Sequence, residues 1–477
     1  MLDHFLKATC IVLLVAPLAF SQTPATPAQT ANGSPANRQR VAERLTQALT
    51  DLIPGDYAAD SNEIKLIDEI VAAFLAGEQT RTETAIEKLE KLDSAVPPRE
   101  LLFAGLAYSS NNLAGGKALL EQAAVRHRGH PGIPLAFSRL ALLQGRFFDA
   151  LACAQTAQKS NSESNLEPAV KRFYQIECLD ALTAIELRRN QLEQAAQLAG
   201  QWQQQAPTSD KMFLANAEVL FRQDNLQQSV EFLNRRGDES KSDTPTEVII
   251  AKWYQNKEDD VNYGKWIENA YQKFPDNSLT QLEYSAWLIR SEDFSKAKQI
   301  VEAYEKSNPP RAQSRMIQAR IEFAEQNYSA AEKSFAALYQ AQPGNFEHVY
   351  FLVLSMLESG DPLKMRQANQ LAQRAFQSFP NNQLAMSMVG WSIYLTGDKG
   401  IGTQVLNEAN NIGELLPDTA YFLAKTLADQ QKNAEAKAML APFINAKSVF
   451  VFRNQARQLM QTISSADSLP NPGENNK

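Results

Sequence analysis

Apolar positions recur three and four apart along almost the whole chain between about Val41 and Ser464, the spacing of one face of an α-helix. Ala, Gln, Leu, Glu and Lys dominate these stretches, and all are good helix formers. No stretch shows the apolar–polar alternation of a half-buried strand. The pattern therefore predicts an all-α protein. Short polar clusters interrupt it at Asn111-Asn112, Gly145, Asn190, Asp224-Asn225, Asp293, Asn327 and Gly397-Asp398, and these predict turns between helices.

The interruptions are periodic. Pro275, Pro309 and Pro343 stand 34 residues apart, and Pro380 and Pro417 follow at intervals of 37. Small residues keep the same beat at Ala104, Ser138, Thr183, Ala217, Ala251, Ser285, Ala319, Gly390 and Ala424, with Val353 in the open slot. A second series lies twelve residues later, at Gly116, Ala150, Ala195, Ser229, Ala297, Ala331 and Ala436, with Tyr263 in one slot. Leu113, Phe147, Leu192, Leu226, Phe294 and Tyr328 each precede a member of that series by three. A fixed period of this length is the mark of a solenoid. Each unit is then a pair of antiparallel helices that cross closely where two small residues meet. A bulky residue plugs the gap beside the crossing, and proline ends the second helix.

These features resemble the tetratricopeptide repeat family. Gln326 to Pro343 matches best, with Tyr328, Ala331, Phe335, Leu338 and Pro343 in the family's places, and Gly145 to Ala157 is close behind. The resemblance covers about Pro97 to Pro442, in ten units, although the family's Trp-Leu-Gly opening is mostly missing. A degenerate unit over residues 62–97 and a helix over 449–463, capping the open end, complete a solenoid across 41–464. The resemblance implies about ten to eleven helix pairs wound into a right-handed superhelix, with a concave groove lined by the first helices. The 45-residue interval near Asn161 predicts a loop or a helix lengthened on one side. The unit at Tyr263, after the weak turn at 256–261, is expected to be irregular.

The two ends differ from the middle. Residues 1–21 read as a secretory signal, with Lys7 near the start, an apolar run from Ala8 to Phe20, and small residues before a cut at Gln22. The apolar run is short for a membrane helix. The expectation is a periplasmic or secreted protein with no stable membrane insertion after cleavage, or one held at the membrane if the signal is not cut. Residues 22–40 are expected to be a flexible linker, and 465–477 a disordered tail.

Composition narrows the function. The 477 residues include 47 Lys and Arg against 54 Asp and Glu, a net charge of −7, which disfavours nucleic acid and anionic lipid as partners. Three Cys and four His exclude a disulfide scaffold, and no spacing suggests a metal site. His127 and His130 are expected in a mobile loop, and the acidic run 258–260 in a solvated turn. No phosphate loop, Gly-x-Ser-x-Gly or His-Glu-x-x-His occurs, so no catalytic residue and no cofactor are assigned. Cys153 and Cys178 fall on successive helices and could bond in an oxidising compartment or remain free.

The resemblance also carries a map of the groove. It puts Tyr350, Trp391, Tyr394 and Tyr421 on the groove side, where rings either bind a partner or pack between neighbouring helices. Arg188, Arg222, Arg290 and Arg320 lie near the same phase, and Arg320 is the candidate for gripping a carboxylate. The reading that follows is an exported, non-catalytic scaffold that binds protein segments in its groove and organises an envelope assembly. The alternative is an accessory subunit of an envelope polysaccharide or secretion machine, touching glycan through exposed groove aromatics.

Overall fold

A computed structural model describes residues 35–467, apart from 56, 59, 111, 241–243 and 447–449. The expected signal, most of the linker and most of the tail lie outside the described residues. Within them the chain forms 24 helices and no strand. It divides into two compact units, 1–249 and 250–477.

The first unit contains α1 (Pro35–Thr50), α2 (Asn62–Ala76), α3 (Gln79–Leu92), α4 (Arg99–Ser109), α5 (Leu113–Arg126), α6 (Gly132–Leu143), α7 (Phe147–Glu163), α8 (Pro168–Arg188), α9 (Leu192–Gln205), α10 (Asp210–Arg222) and α11 (Leu226–Ser240). The division falls inside α12 (Thr246–Asn256). The second unit continues with α13 (Asp260–Lys273), α14 (Ser278–Arg290), α15 (Phe294–Ser307), α16 (Ala312–Ala324), α17 (Tyr328–Ala341), α18 (Phe346–Glu358), α19 (Pro362–Ser378), α20 (Gln383–Thr396), α21 (Lys399–Asn410), α22 (Pro417–Asp429), α23 (Asn433–Ile444) and α24 (Arg453–Asp467). Each unit is a solenoid of antiparallel helix pairs, in which most helices pack on a sequence neighbour and first helices also touch across pairs.

The two series of small residues do meet. The Ser138 hydroxyl donates to the Ala150 carbonyl at 2.7 Å, and Ser229 donates to Ala217 at the same distance. Each of these hydroxyls stands at one end of a twelve-residue interval, so the hydrogen bond closes the crossing of one pair. Gly390 and Gly402 repeat the arrangement in α20 and α21, and there even a methyl group would strike backbone. Gly402 was invisible as a member of the second series.

Turn geometry repeats as strictly as packing. Asn190, Asp224, Glu258, Glu292 and Gln326 are all left-handed, with φ between 58° and 64°, and successive members are 34 residues apart. Gly145, Gly360 and Gly397 hold the same place in their pairs. The next residue caps the second helix: Asp259, Asp293, Asn327 and Asp398 each accept from a backbone N–H three residues on. The left-handed residue reverses the chain, and the capping side chain satisfies an N–H at the start of the new helix. A side chain at such a φ is strained, and Gly is not. Gln326→Gly is therefore expected to stabilise the second unit by about 0.5–1 kcal/mol, read as a higher urea midpoint.

Several expectations change. The chain is helical from Pro35, inside the expected linker, because Leu45 and Leu49 on one face of α1 are fully buried. The 45-residue interval lengthens both flanking helices: α7 has 17 residues and α8 has 21. The unit at Tyr263 is regular rather than irregular. Glu258 takes the left-handed position, Asp259 caps α13, and the ring of Trp287 lies over Gly264, which leaves the buried Tyr263 its slot. Residues 62–97 do form a pair, α2 with α3. No helix among the described residues is long and apolar enough to cross a membrane.

Candidate functional site

The four expected groove rings all belong to the second unit, and none is open to solvent. Tyr350, Trp391, Tyr394 and Tyr421 are between 2% and 6% exposed. Trp391 stacks between Tyr394 and Phe422, at centroid distances of 5.6 and 4.9 Å. The Tyr394 hydroxyl donates to Asp429 at 2.8 Å, and the Lys399 ammonium lies 5.3 Å from the ring. Tyr350 donates to Asp418 at 2.8 Å. Of the two outcomes the sequence left open, these rings take the packed one, and the chain's own last segment contributes to their cover.

Residues 450–467 fold back over the first helices of the second unit. Phe452 is fully buried and stacks on Tyr421 at 4.9 Å, with Phe422 and Phe323 at its edges. One N-terminal step away, the Val451 N–H donates to Asp418 at 3.0 Å, on the carboxylate oxygen that Tyr350 leaves open. Arg453 is 6% exposed and pairs with Glu292, beyond the end of α14. The same guanidinium donates to the carbonyls of Phe443, Ile444 and Ala446. Arg457 reaches Glu292 as well, at 3.3 Å. The helix expected to cap the open end thus packs on α22 and α23 and also extends back as far as the α14–α15 turn.

Asp418 is the polar centre of this seat. Burial pushes its carboxyl up to about 6, against the opposing pull of Tyr350 and the Val451 and Phe452 amides. A raised value means the folded state holds the proton more tightly than the unfolded chain, whose aspartate titrates near 4. The stabilising contribution is complete below about pH 4 and is lost as pH rises through about 6. The stability of wild type relative to Asp418→Asn is therefore expected to fall, by up to about 3 kcal/mol, between roughly pH 4 and 7. Urea unfolding of both proteins across that range checks it.

The four arginines are held by acidic neighbours. Arg222 pairs with Glu218 at 3.0 Å and donates to the Leu187 carbonyl, and Arg188 interacts electrostatically with the same Glu218. Arg290 pairs with Asp260 at 3.4 Å and lies over the Tyr263 ring. Arg320 pairs with Glu347 at 3.6 Å and lies over Phe351. Arg290, Arg320 and Glu292 line one cleft whose apolar wall includes Phe450 and Val451. The candidate arginines of the second unit therefore border the seat of the closing segment, while Arg188 and Arg222 belong to the first unit.

Other candidates are plain structural groups. Cys153 and Cys178 are free thiols, and burial pushes the Cys178 thiol up to about 12. Cys178 packs among Leu135, Ala157 and Tyr174, a cluster that does not include Cys153. His127 and His130 do lie in the turn between α5 and α6, and both are half-buried there. His127 bonds Glu100 at 2.9 Å, and burial lowers His130 to about 4. No group of three or more His, Cys, Asp or Glu among the described residues could hold a metal.

The sequence pattern missed Asp418, Phe452 and Arg453. A signal was present: Val449-Phe450-Val451-Phe452 is the densest apolar run after Pro442, and Arg453 follows it directly.

No family model matches this chain, and no curated protein does. Solved structures do match. A tetratricopeptide repeat protein from Parabacteroides merdae is 11% identical over 62% of this chain and 98% of its own, with a TM-score of 0.33. Yeast Tom70 is 11% identical over 86% of this chain and 97% of its own, with a TM-score of 0.33. Human IFIT1, solved as a dimer with m7Gppp-AAAA, is 14% identical over 92% of this chain and 97% of its own, with a TM-score of 0.39. Likeness at this level assigns neither a family nor a function to this chain.

Proposed function

We propose that this protein is an exported, non-catalytic scaffold that organises an envelope assembly by receiving protein segments on the first helices of its second unit. The carrying observation is the closing segment itself. A stretch of polypeptide already sits there, with Phe452 stacked on Tyr421, a backbone N–H on Asp418 and Arg453 on Glu292. That is a turn and the start of a helix held by an aromatic anchor and an arginine, residue types enriched among the hot spots of protein interfaces. A partner segment with the same order, an aromatic residue followed directly by Arg, would take the same seat once the closing segment leaves it. The glycan-contacting alternative draws no support from the rings, since all four are covered.

Crosslinking pull-downs from the native envelope test this reading, with wild type beside Phe452→Ala. The variant, whose seat is freed more often, is expected to capture a protein partner more strongly than wild type. If neither captures an envelope protein, the reading fails. Retention of glycan by wild type would favour the alternative.

A further inference from the structure

The first unit contains a cleft of about 530 Å³, counting the part open to solvent, between α4, α6 and α8, with the end of α1 at its mouth. Three polar atoms in its lining are buried and have no hydrogen-bond partner among the described residues: Asp51 Oδ2, the Tyr108 hydroxyl and the Tyr174 hydroxyl. Both tyrosines are 2% exposed. Buried polar atoms are normally bonded, and each one left alone costs about 1–3 kcal/mol. Three in one cleft is a set, and they come from the turn after α1 and from helices α4 and α8.

The charges in the cleft lean one way. Its lining holds Asp51, Glu177 and Arg139, and Arg139 is already paired with Glu177. Asp180 and Lys211 act on the same cluster with one charge of each sign. Lys211 and Arg139 also act on Asp51 itself, so three carboxylates against two cations leave one negative charge, shared across the cluster. The remaining walls are apolar or aromatic, including Leu101, Leu120 and Phe173. Aromatic faces favour a cation, and an anion would meet a carboxylate with no free cationic group in the lining.

We propose that this cleft binds a primary ammonium group, either a lysine side chain of a partner polypeptide or a small free amine. Such a group has three N–H donors and no acceptor, which matches three oxygens that can each accept. Asp51 supplies the counter-charge, Tyr108 and Tyr174 complete the donor's coordination, and the rings and leucines take the adjoining methylenes. Burial pushes the Asp51 carboxyl up, against the pull of Gln47, Lys211 and Arg139, and a further ammonium beside it would favour the carboxylate. No feature of the second unit is needed, so this site stands or falls apart from the proposed scaffold function.

The test titrates n-butylammonium chloride into the full chain by calorimetry, beside n-butanol and tetramethylammonium at matched ionic strength. Saturable one-to-one binding of n-butylammonium is expected, at least about tenfold tighter than either control. Asp51→Asn, nearly isosteric, is expected to weaken it about tenfold or more. Ala136→Phe, which fills the cleft but leaves all three oxygens in place, is expected to abolish it. Circular dichroism confirms that both variants keep their helix content. N-acetyl-lysine methylamide is the second probe: tighter binding than n-butylammonium assigns the site to a polypeptide lysine, and weaker binding to a free amine. Equal binding of n-butanol or tetramethylammonium overturns the proposal, as does an affinity unchanged in both variants.

Discussion

Phe452→Ala is expected to destabilise the second unit by about 3–5 kcal/mol, the usual cost of truncating a fully buried aromatic residue. The loss should also be cooperative. Phe452 touches Phe323 from α16 and Tyr421 and Phe422 from α22, so one ring ties together helices about a hundred residues apart in sequence. Without it, the Val451–Asp418 bond and the Arg453–Glu292 pair lose their placement, and both carboxylates are left in poor surroundings. Urea unfolding should show the drop. Hydrogen exchange should show faster exchange in α24 first, and then around Tyr350 and Tyr421. A loss below about 1 kcal/mol would mean the ring is only a surface cover.

Gly402→Val is expected to be as damaging for a different reason. A methyl group built on Gly402 would sit 2.5 Å from the Tyr394 backbone nitrogen and 2.7 Å from its Cα. Backbone cannot step aside as a side-chain tip can, so α20 and α21 must separate. Overpacking of this kind costs about 1–3 kcal/mol, and more where backbone is struck. The cost here should reach at least about 3 kcal/mol, because Trp391 and Tyr394 lie on the displaced helix and carry the stack with Phe422. Gly400→Ala is the control. It lies on the same helix, its nearest neighbour would be an Asp398 oxygen at 3.7 Å, and the change should stabilise by about 0.5–1 kcal/mol. Comparison of the two urea midpoints separates helix propensity from close approach.

The repeat was legible because it is local. Ala217 and Ser229 meet twelve residues apart, and Asp293 caps the helix that begins one residue later. Such relations lie within the reach of a period and a turn signal. Gly402 was not legible because what requires it, the close approach of the Tyr394 backbone on the preceding helix, exists only in the fold. The groove phase put Tyr350, Trp391, Tyr394 and Tyr421 on first helices, and the contacts of Trp391 with Tyr394 and Tyr421 join two of these helices. Which of the two outcomes they take was not legible. Part of the answer is Phe452, which lies 31 residues after Tyr421 and stacks on it only once the chain has turned back. Arg453 with Glu292 spans a still longer separation, and no periodicity records such a pair. The cleft of the first unit is hidden for the same reason: Asp51, Tyr108 and Tyr174 share no motif and meet only through folding.

The central claim is that the first helices of the second unit form an exchangeable seat for a polypeptide segment. A fluorescent peptide spanning residues 450–467 tests it most directly. It is titrated into the full wild-type chain and into a full-chain Phe452→Ala, Arg453→Ala variant. The account predicts saturable one-to-one binding to the variant, at least about tenfold weaker binding to wild type, whose own segment competes, and loss of binding when the peptide itself carries Phe452→Ala. Absence of binding to a variant that keeps its helix content, or equal binding to both chains, would contradict it.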